Sequence, residues 1–227
     1  MKIKNLFNKI TQPQAVEIEG IKVKIPSFAS NVICQAIYGG FYEADELKLV
    51  KNRLSPDDTV MEVGTGLGLL SAYCAKKIGN DKVYTFEANP ALESAIKDNY
   101  ALNQVEPQLD ICLVGDRTGV ADFYVGQNFW SSSIYDKAQG AKPITVPVIN
   151  FNEKVREINP TFLLLDMEGG EYEFVKYADF YNIKKLMIEI HNWILTPEQI
   201  KFVKHSLAES GFYLVEAASS EELYFER

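Results

Sequence analysis

The stretch Val60-Met61-Glu62-Val63-Gly64-Thr65-Gly66-Leu67-Gly68-Leu69-Leu70 decides the fold of this 227-residue chain. Its apolar start predicts a short strand, its glycines predict a tight turn, and the residues that follow predict a helix. Glycine lets a backbone come close to a ligand and adopt conformations that other residues resist. The N-terminus of a helix attracts negative charge. The stretch therefore predicts a site for a nucleotide-type cofactor.

The spacing of the glycines distinguishes between two kinds of cofactor. A dinucleotide-binding loop has the pattern G-x-G-x-x-G, which would require a glycine at position 69, where this chain has Leu69. In addition, Glu62 lies two residues before Gly64. A carboxylate there repels a pyrophosphate but suits a cofactor with a cationic amine and a sulfonium. We therefore expect S-adenosylmethionine (SAM), and an NAD-dependent oxidoreductase is the alternative.

A second acid follows the next predicted strand. The segment 83–87 reads as a strand that ends in Glu87, and Asn89 and Pro90 suit the N-cap and the first position of a helix. Glu87 follows Gly64 by 23 residues. An acid at a separation of about 20 residues binds ribose hydroxyls in Rossmann-type units. We therefore expect Glu87 at the ribose.

The end of the third predicted strand is the candidate for the adenine site. Gly115 and Asp116 follow it directly, and Asp116 could accept a hydrogen bond from the exocyclic amine of the ring. Gly-Asp is also a turn signal, so a plain turn is an equal alternative.

Composition excludes several classes of function. The chain has 23 Lys and Arg against 31 Asp and Glu, so its formal net charge is -8. Nucleic-acid binding depends on neutralising phosphates, and an acidic chain without a dense basic run is unsuited to it. The three cysteines are widely spaced among apolar residues, which indicates reduced thiols and a cytoplasmic location. We expect no stable membrane insertion, because neither a transmembrane segment nor a signal peptide is recognisable.

The hydrophobic pattern predicts one α/β domain over residues 1–227, with an N-terminal extension and cap at 1–55 and a Rossmann-like core at 56–227. The extension contains a hairpin at 15–26 and two helices, one from Asn31 to Ile37 and one from Ala44 to Arg53. The core is a central, mostly parallel seven-stranded sheet with helices on both faces. Its predicted strands are 59–63, 82–87, 109–114, 161–166, 184–191, 212–217 and 222–226, and its predicted helices are 67–79, 90–103, 171–180 and 197–210. Residues 115–150, around Phe129 and Trp130, are either a substrate-facing lid or a rim of the sheet.

A second group of polar residues follows two later strands. Asp166 ends a strongly apolar strand, Glu168 lies in the turn after it, and His191 ends the next strand. Because ligands bind beyond the carboxyl ends of parallel strands, we expect the three to converge near the reacting group. His191 is the first candidate for a base, since a histidine with an unperturbed pKa of about 6.5 accepts a proton near neutrality. A structural histidine is an equal alternative.

These residues resemble the FkbM family of class I SAM-dependent methyltransferases over roughly residues 38–191. The specific part is Asp166-Met167-Glu168-Gly169-Gly170-Glu171, which resembles the family's D-x-E-G-x-E motif. Phe41-Tyr42-Glu43 resembles its Tyr-Glu signature, and the loop from Glu62 to Gly68 resembles its SAM loop. The helix with Asn99 and Asn103 and the segment that ends at His191 are also similar to the family. Together with the arguments above, the predicted cofactor-binding residues are Tyr42, Glu43, Glu62, Gly64, Thr65, Gly66, Gly68, Glu87, Ala88, Asn89, Gly115, Asp116 and Asp166.

The resemblance implies O-methylation of a hydroxyl on a sugar, a glycan or a small natural product. The predicted catalytic residues are Asp166, Glu168 and His191, and a divalent metal held by the same three residues is an alternative to a base. A SAM-binding module without turnover and a protein methyltransferase remain as further alternatives. The sequence leaves the oligomeric state open, a homodimer included.

Overall fold

The computed structural model describes residues 3–124 and 143–227. The predicted segment around Phe129 and Trp130 lies outside the described residues. The N-terminal extension consists of α1 (Ile3–Thr11), β1 (Ala15–Ile18), β2 (Ile21–Lys24), α2 (Asn31–Gly39) and α3 (Ala44–Arg53). The predicted hairpin and the two predicted helices are confirmed.

The core alternates strands and helices. In chain order it contains β3 (Val60–Val63), α4 (Leu69–Ile78), β4 (Val83–Glu87), α5 (Glu93–Asn103), β5 (Gln108–Ile111), β6 (Leu113–Gly115), β7 (Gly119–Tyr124), β8 (Pro143–Asn150), α6 (Phe151–Ile158), β9 (Phe162–Leu165), α7 (Glu171–Phe174), β10 (Lys185–Glu189), α8 (Pro197–Glu209), β11 (Tyr213–Ala217) and β12 (Glu222–Glu226). Short 3-10 turns precede β4 and α5.

The central sheet has seven strands in the order β11-β12-β10-β9-β3-β4-β5. Neighbouring strands from β10 to β5 run parallel, and β12 is antiparallel to both of its neighbours. One face packs on the hairpin and on α4 and α5, and the other packs on α6 and α8. The predicted α/β class, with a mostly parallel seven-stranded sheet covered on both faces, is confirmed.

Strand register brings several chain positions to one edge of this sheet. Leu165 at the end of β9 is opposite both Val63 of β3 and Ile188 of β10, and Val63 is opposite Phe86 of β4. The residues that follow these strands therefore meet at the carboxyl edge, as expected for a ligand site in a parallel sheet.

The structure differs from the prediction in three elements. The predicted third strand is divided at Cys112, and β6 joins a separate three-stranded sheet of order β6-β8-β7. Helix α6 was not predicted. Helix α7 ends at Phe174 rather than near residue 180, and residues 175–177 form turns. Beyond them, Asn152 of α6 donates to the carbonyl of Tyr177 and accepts from the N–H of Asp179.

Cys74 and Cys112 are buried, Cys34 is half-buried, and all three are free thiols. No helix among the described residues is both long and apolar enough to span a bilayer.

Candidate active site

The glycine loop between β3 and α4 is closely packed. Gly64 has a φ of 88°, and a Cβ there would lie 1.9 Å from the backbone oxygen of Asp166. Gly66 has a φ of 56°, and a Cβ there would lie 2.8 Å from the hydroxyl of Tyr42 and 3.0 Å from Oε1 of Glu43. Both positions require glycine, because of the left-handed backbone and because neighbouring atoms occupy the space.

Glu87 at the end of β4 supports this loop. Its Oε2 accepts hydrogen bonds from the N–H groups of Thr65 at 3.2 Å and Gly66 at 3.0 Å, and its Oε1 accepts from Asn89 N–H at 2.8 Å. Burial raises its pKa to about 7, although these three hydrogen bonds oppose the shift. An ionised carboxylate accepts about four hydrogen bonds, so one acceptor position remains for a ligand hydroxyl.

The N-terminal extension also supports the loop. The hydroxyl of Tyr42 accepts a hydrogen bond from Leu67 N–H at 3.0 Å. Asn99 of α5 donates to the carbonyl of Leu67 at 2.8 Å and accepts from Lys24 N–H of β2 at 2.7 Å. The hairpin, α5 and the loop are thus connected by one asparagine side chain.

A cavity of about 510 Å³ opens at the carboxyl edge beside the loop. Its wall is largely apolar and contains Phe86, Leu92, Val114 and Phe123. Both the volume and the apolar lining are typical of a small-molecule site. Seven of the predicted cofactor residues line it, namely Gly64, Gly66, Glu87, Ala88, Gly115, Asp116 and Asp166.

The other predicted cofactor residues do not line the cavity. They are Tyr42, Glu43, Glu62, Thr65, Gly68 and Asn89, none of which is among the described lining residues. Glu62 is 1% exposed and its carboxylate hydrogen-bonds Ser71 and Thr65, because strand alternation turns it to the face covered by α4. Its pKa is raised by burial to about 8. Direct contact of Glu62 with a cationic amine in this cavity has no support in the geometry.

Asp116 lines the cavity with a half-exposed side chain. Its carboxylate lies 3.4 Å from the guanidinium of Arg117, and its backbone carbonyl accepts from Asn150 at 2.8 Å. Among the described residues, no backbone N–H donates to this carboxylate, which leaves it available to a ligand in the cavity.

The predicted catalytic residues converge beside the same cavity. Nε2 of His191 lies 3.6 Å from Oδ1 of Asp166 and 3.3 Å from Oε2 of Glu168. Asp166 and Glu168 line the cavity, whereas His191 is 3% exposed and lies behind them. Glu168 has a left-handed φ of 49°. Strained backbone of this kind in a residue other than glycine is concentrated at functional sites.

The environment of His191 argues against the predicted base. Burial alone would lower its pKa, but the 2.7 Å hydrogen bond from Nδ1 to Oε1 of Glu171 and the charges of Asp166, Glu171 and Glu189 raise it to about 10. These groups favour the protonated ring. They therefore argue against His191 as the base, and the role of His191 stays a prediction.

Four acidic residues of this cluster were not among the predicted site residues. Glu171 is fully buried, and its Oε1 also accepts from Gly169 N–H at 3.0 Å, so it fixes both the histidine and the turn. The D-x-E-G-x-E motif contained it. Glu189 lies 3.7 Å from Nε2 of His191, and Glu46 of α3 and Glu222 of β12 lie beyond it. Nothing in the sequence brings Glu46 and Glu222 together, because α3 meets β10 and β12 only in the folded chain.

Comparison with known proteins identifies the family and the fold of the chain. A model of the methyltransferase FkbM domain matches residues 62–214. A protein of Methanocaldococcus jannaschii assigned as a protein N5-glutamine methyltransferase is 36% identical over 93 residues, which are 40% of this chain. The matched part covers only 41% of the length of that relative.

Solved structures share the fold at low identity. A methyltransferase from Pyrococcus furiosus superposes with a TM-score of 0.52 and 13% identity, covering 98% of this chain and 95% of the other. The tRNA (uracil-54, C5)-methyltransferase of Pyrococcus abyssi, in complex with S-adenosyl-L-homocysteine, superposes with a TM-score of 0.53 and 11% identity, covering 94% of this chain and 43% of the other.

Proposed function

Because the chain belongs to the FkbM methyltransferase domain family, we propose that it transfers the methyl group of SAM to a hydroxyl of a sugar, a glycan or a small natural product. The observation that carries this proposal is the pair of carboxylates, Asp166 and Glu168, in the wall of the cavity beside the glycine loop. A hydroxyl is a weak nucleophile until its proton leaves, and a carboxylate next to the methyl donor can take that proton.

The cofactor is SAM, and the cavity suits it. We infer that its methionine part lies against Gly64 and Gly66, where a Cβ would fill the space. Glu87 would accept from the ribose hydroxyls and Asp116 from the adenine amine. When bound, SAM supplies a methyl group on a sulfonium that leaves as a neutral thioether.

The chain's own residues then align and deprotonate the acceptor. Holding two reactants in line can contribute on the order of 7–11 kcal/mol. We assign proton acceptance to Glu168, since it lines the cavity and its strained backbone directs it to this edge. His191 is a positioning residue, oriented by Glu171. Such a base contributes about 100- to 10,000-fold to the rate.

The test is transfer of a labelled methyl group from SAM to a panel of sugars and hydroxylated metabolites. Glu168→Gln should retain SAM affinity in calorimetry and lose about 100-fold or more in turnover, whereas Glu173→Gln, a cavity residue that pairs with Lys176 at 2.8 Å, should retain turnover. Wild-type turnover in Glu168→Gln would remove the assigned base.

A second candidate follows from the M. jannaschii relative, which is assigned to glutamine N-methylation. The same assay with glutamine-containing peptides tests it. Incorporation of label into peptides alone would favour this candidate over O-methylation.

A further inference from the structure

A group of metal-ligand side chains lies at the carboxyl ends of β9 and β10. Donor atoms of Asp166, Glu189 and His191 all lie within 4.8 Å of one another. Leu165 and Ile188 are register partners, so Asp166 and Glu189, one residue further along each strand, are neighbours. His191 follows two residues later and points back to both.

The histidine presents one ring nitrogen to these acids. Its Nδ1 is bound to the buried Glu171 at 2.7 Å. This leaves Nε2 facing Glu168 Oε2 at 3.3 Å, Asp166 Oδ1 at 3.6 Å and Glu189 Oε1 at 3.7 Å. A cation bound here would replace the proton on Nε2. A carboxylate on the distant nitrogen, which fixes the ring and its tautomer, is the usual outer-shell partner of a metal-binding histidine.

The distances suit two ligands of one ion better than hydrogen bonds. A charge-assisted N–H···O bond is about 2.7–2.9 Å long, which the bond to Glu171 satisfies and the contacts of Nε2 exceed. Two donors that each lie about 2.0–2.2 Å from a common cation are separated by roughly 3.0–3.6 Å. The 3.6 Å separation from Asp166 lies at the upper end of that range, and the 3.7 Å separation from Glu189 lies just beyond it.

Two further observations indicate that a cation completes the cluster. Oδ1 of Asp166 is a buried oxygen without a hydrogen-bond partner among the described residues. Glu46 and Glu222 add two more carboxylates next to Glu189. Within residues 3–124 and 143–227, no lysine or arginine forms an ion pair with Asp166, Glu189, Glu46 or Glu222. These half-buried carboxylates leave a place for a positive charge in addition to His191.

We propose that Asp166, Glu189 and His191 bind a divalent cation, and we choose Mn²⁺ as the probe because two of the three donors are carboxylate oxygens, which suit this ion. The chemical role of this cation rests on the proposed function, whereas the binding of the cation does not. Because Asp166 lines the cofactor cavity, the cation faces the acceptor hydroxyl and lowers its pKa. The hydroxyl proton passes to Glu168, the oxygen bonds to the methyl carbon, and the carbon–sulfur bond breaks.

The test is a titration of the full chain with Mn²⁺ alone, in which electron paramagnetic resonance measures the free ion. We expect one saturable site in the wild type. Asp166→Asn and Glu189→Gln should each weaken it by more than the roughly 10- to 100-fold that loss of an outer-shell partner causes, and Glu171→Gln should weaken it by about that amount. Circular dichroism shows which variants are folded.

The matched control is His205→Asn, which removes an exposed histidine 3.3 Å from Glu209 and should leave Mn²⁺ affinity unchanged. Absence of a saturable site in the wild type, or equal affinity in wild type and folded Glu189→Gln, would overturn the proposal. Mn²⁺ binding without transfer to any hydroxyl would instead remove the proposed function and leave the metal site intact.

Discussion

Glu87 accepts hydrogen bonds from three backbone N–H groups, two of which belong to the glycine loop. We expect Glu87→Gln to weaken SAM binding about 10- to 100-fold, because an amide loses acceptor capacity towards both the loop and the ribose and each such bond to a charged group is worth about 1.5–3 kcal/mol. Calorimetry measures the affinity. Glu93→Gln, which removes a surface pair with Lys97, is the control. Unchanged affinity in Glu87→Gln would remove the ribose assignment.

Glu62 should make stability depend on pH. Burial raises its folded-state pKa to about 8, whereas its ordinary value is 4.5. Between these two values the folded state retains a proton that the unfolded state has lost. The free energy of unfolding therefore decreases as pH rises through this window, by up to about 1.4 kcal/mol per pH unit.

Glu62→Gln stays neutral and should remove this dependence. Chemical unfolding at pH 5 and pH 8 is the measurement. The free energy of unfolding of Glu62→Gln minus that of wild type should be larger at pH 8 than at pH 5, by on the order of a few kcal/mol. A difference that is the same at both pH values would contradict the burial argument.

At the scale of single residues, the sequence predicted which groups meet but not their protonation. Asp166 and His191 come together because both end parallel strands, a placement that the apolar pattern of those strands already implies. The raised pKa of His191 depends on Glu171 and Glu189 at 2.7 Å and 3.7 Å. Distances of that kind come from packing and are not present in a linear pattern.

The glycine loop is the element on which the cavity depends. Gly64→Ala would place a methyl group 1.9 Å from the Asp166 carbonyl in a left-handed backbone. Backbone strain alone costs about 1–3 kcal/mol, and the overlap would displace β3 from β9. We expect lower thermal stability and loss of SAM binding, measured by thermal shift with and without SAM.

Gly119→Ala is the matched control at the start of β7, because nothing lies within 4 Å of its Cβ position and its φ is not left-handed. It should be neutral or stabilising by up to about 1 kcal/mol. Equal thermal shifts in the two variants would show that crowding at Gly64 is not what fixes the loop.

Elements with a strong local signal were predicted well, and elements fixed by tertiary contacts were not. Helix α3 occupies its predicted residues, Ala44–Arg53. Helix α6 did have a signal, since Asn150 caps it by accepting from Glu153 N–H and Phe151 and Val155 are apolar at helical spacing. The early end of α7 had no such signal, and the backbone beyond it bonds to Asn152 of another helix.

On the scale of the whole molecule, the extension and the core share one set of polar contacts, which supports the predicted single domain. Asn103 of α5 accepts from Lys22 N–H at 2.8 Å and donates to the Lys22 carbonyl at 2.7 Å, so the hairpin is bonded to the core through its backbone. We expect calorimetric unfolding in one cooperative transition. Two separate transitions would divide the chain near residue 55.

Asp58 is the second such connection, between the end of α3 and the central sheet. It is 5% exposed, accepts from Ser55 N–H and from the Thr161 hydroxyl, and forms a 2.7 Å ion pair with Lys185 of β10, which also donates to the Arg53 carbonyl. Asp58→Ala leaves a largely buried ammonium without its counter-charge. Breaking a buried pair in this way costs about 3–5 kcal/mol.

Asp98→Ala is the matched control. It breaks an ion pair with Lys24 that is also 2.7 Å long, but both side chains of this pair are 50% exposed. Surface pairs contribute about 0–1 kcal/mol, because water screens the charges. Urea unfolding should therefore separate the two variants by at least about 2 kcal/mol, and added salt should affect only the small difference at Asp98. Similar losses in both variants would mean that Asp58 does not connect the extension to the core.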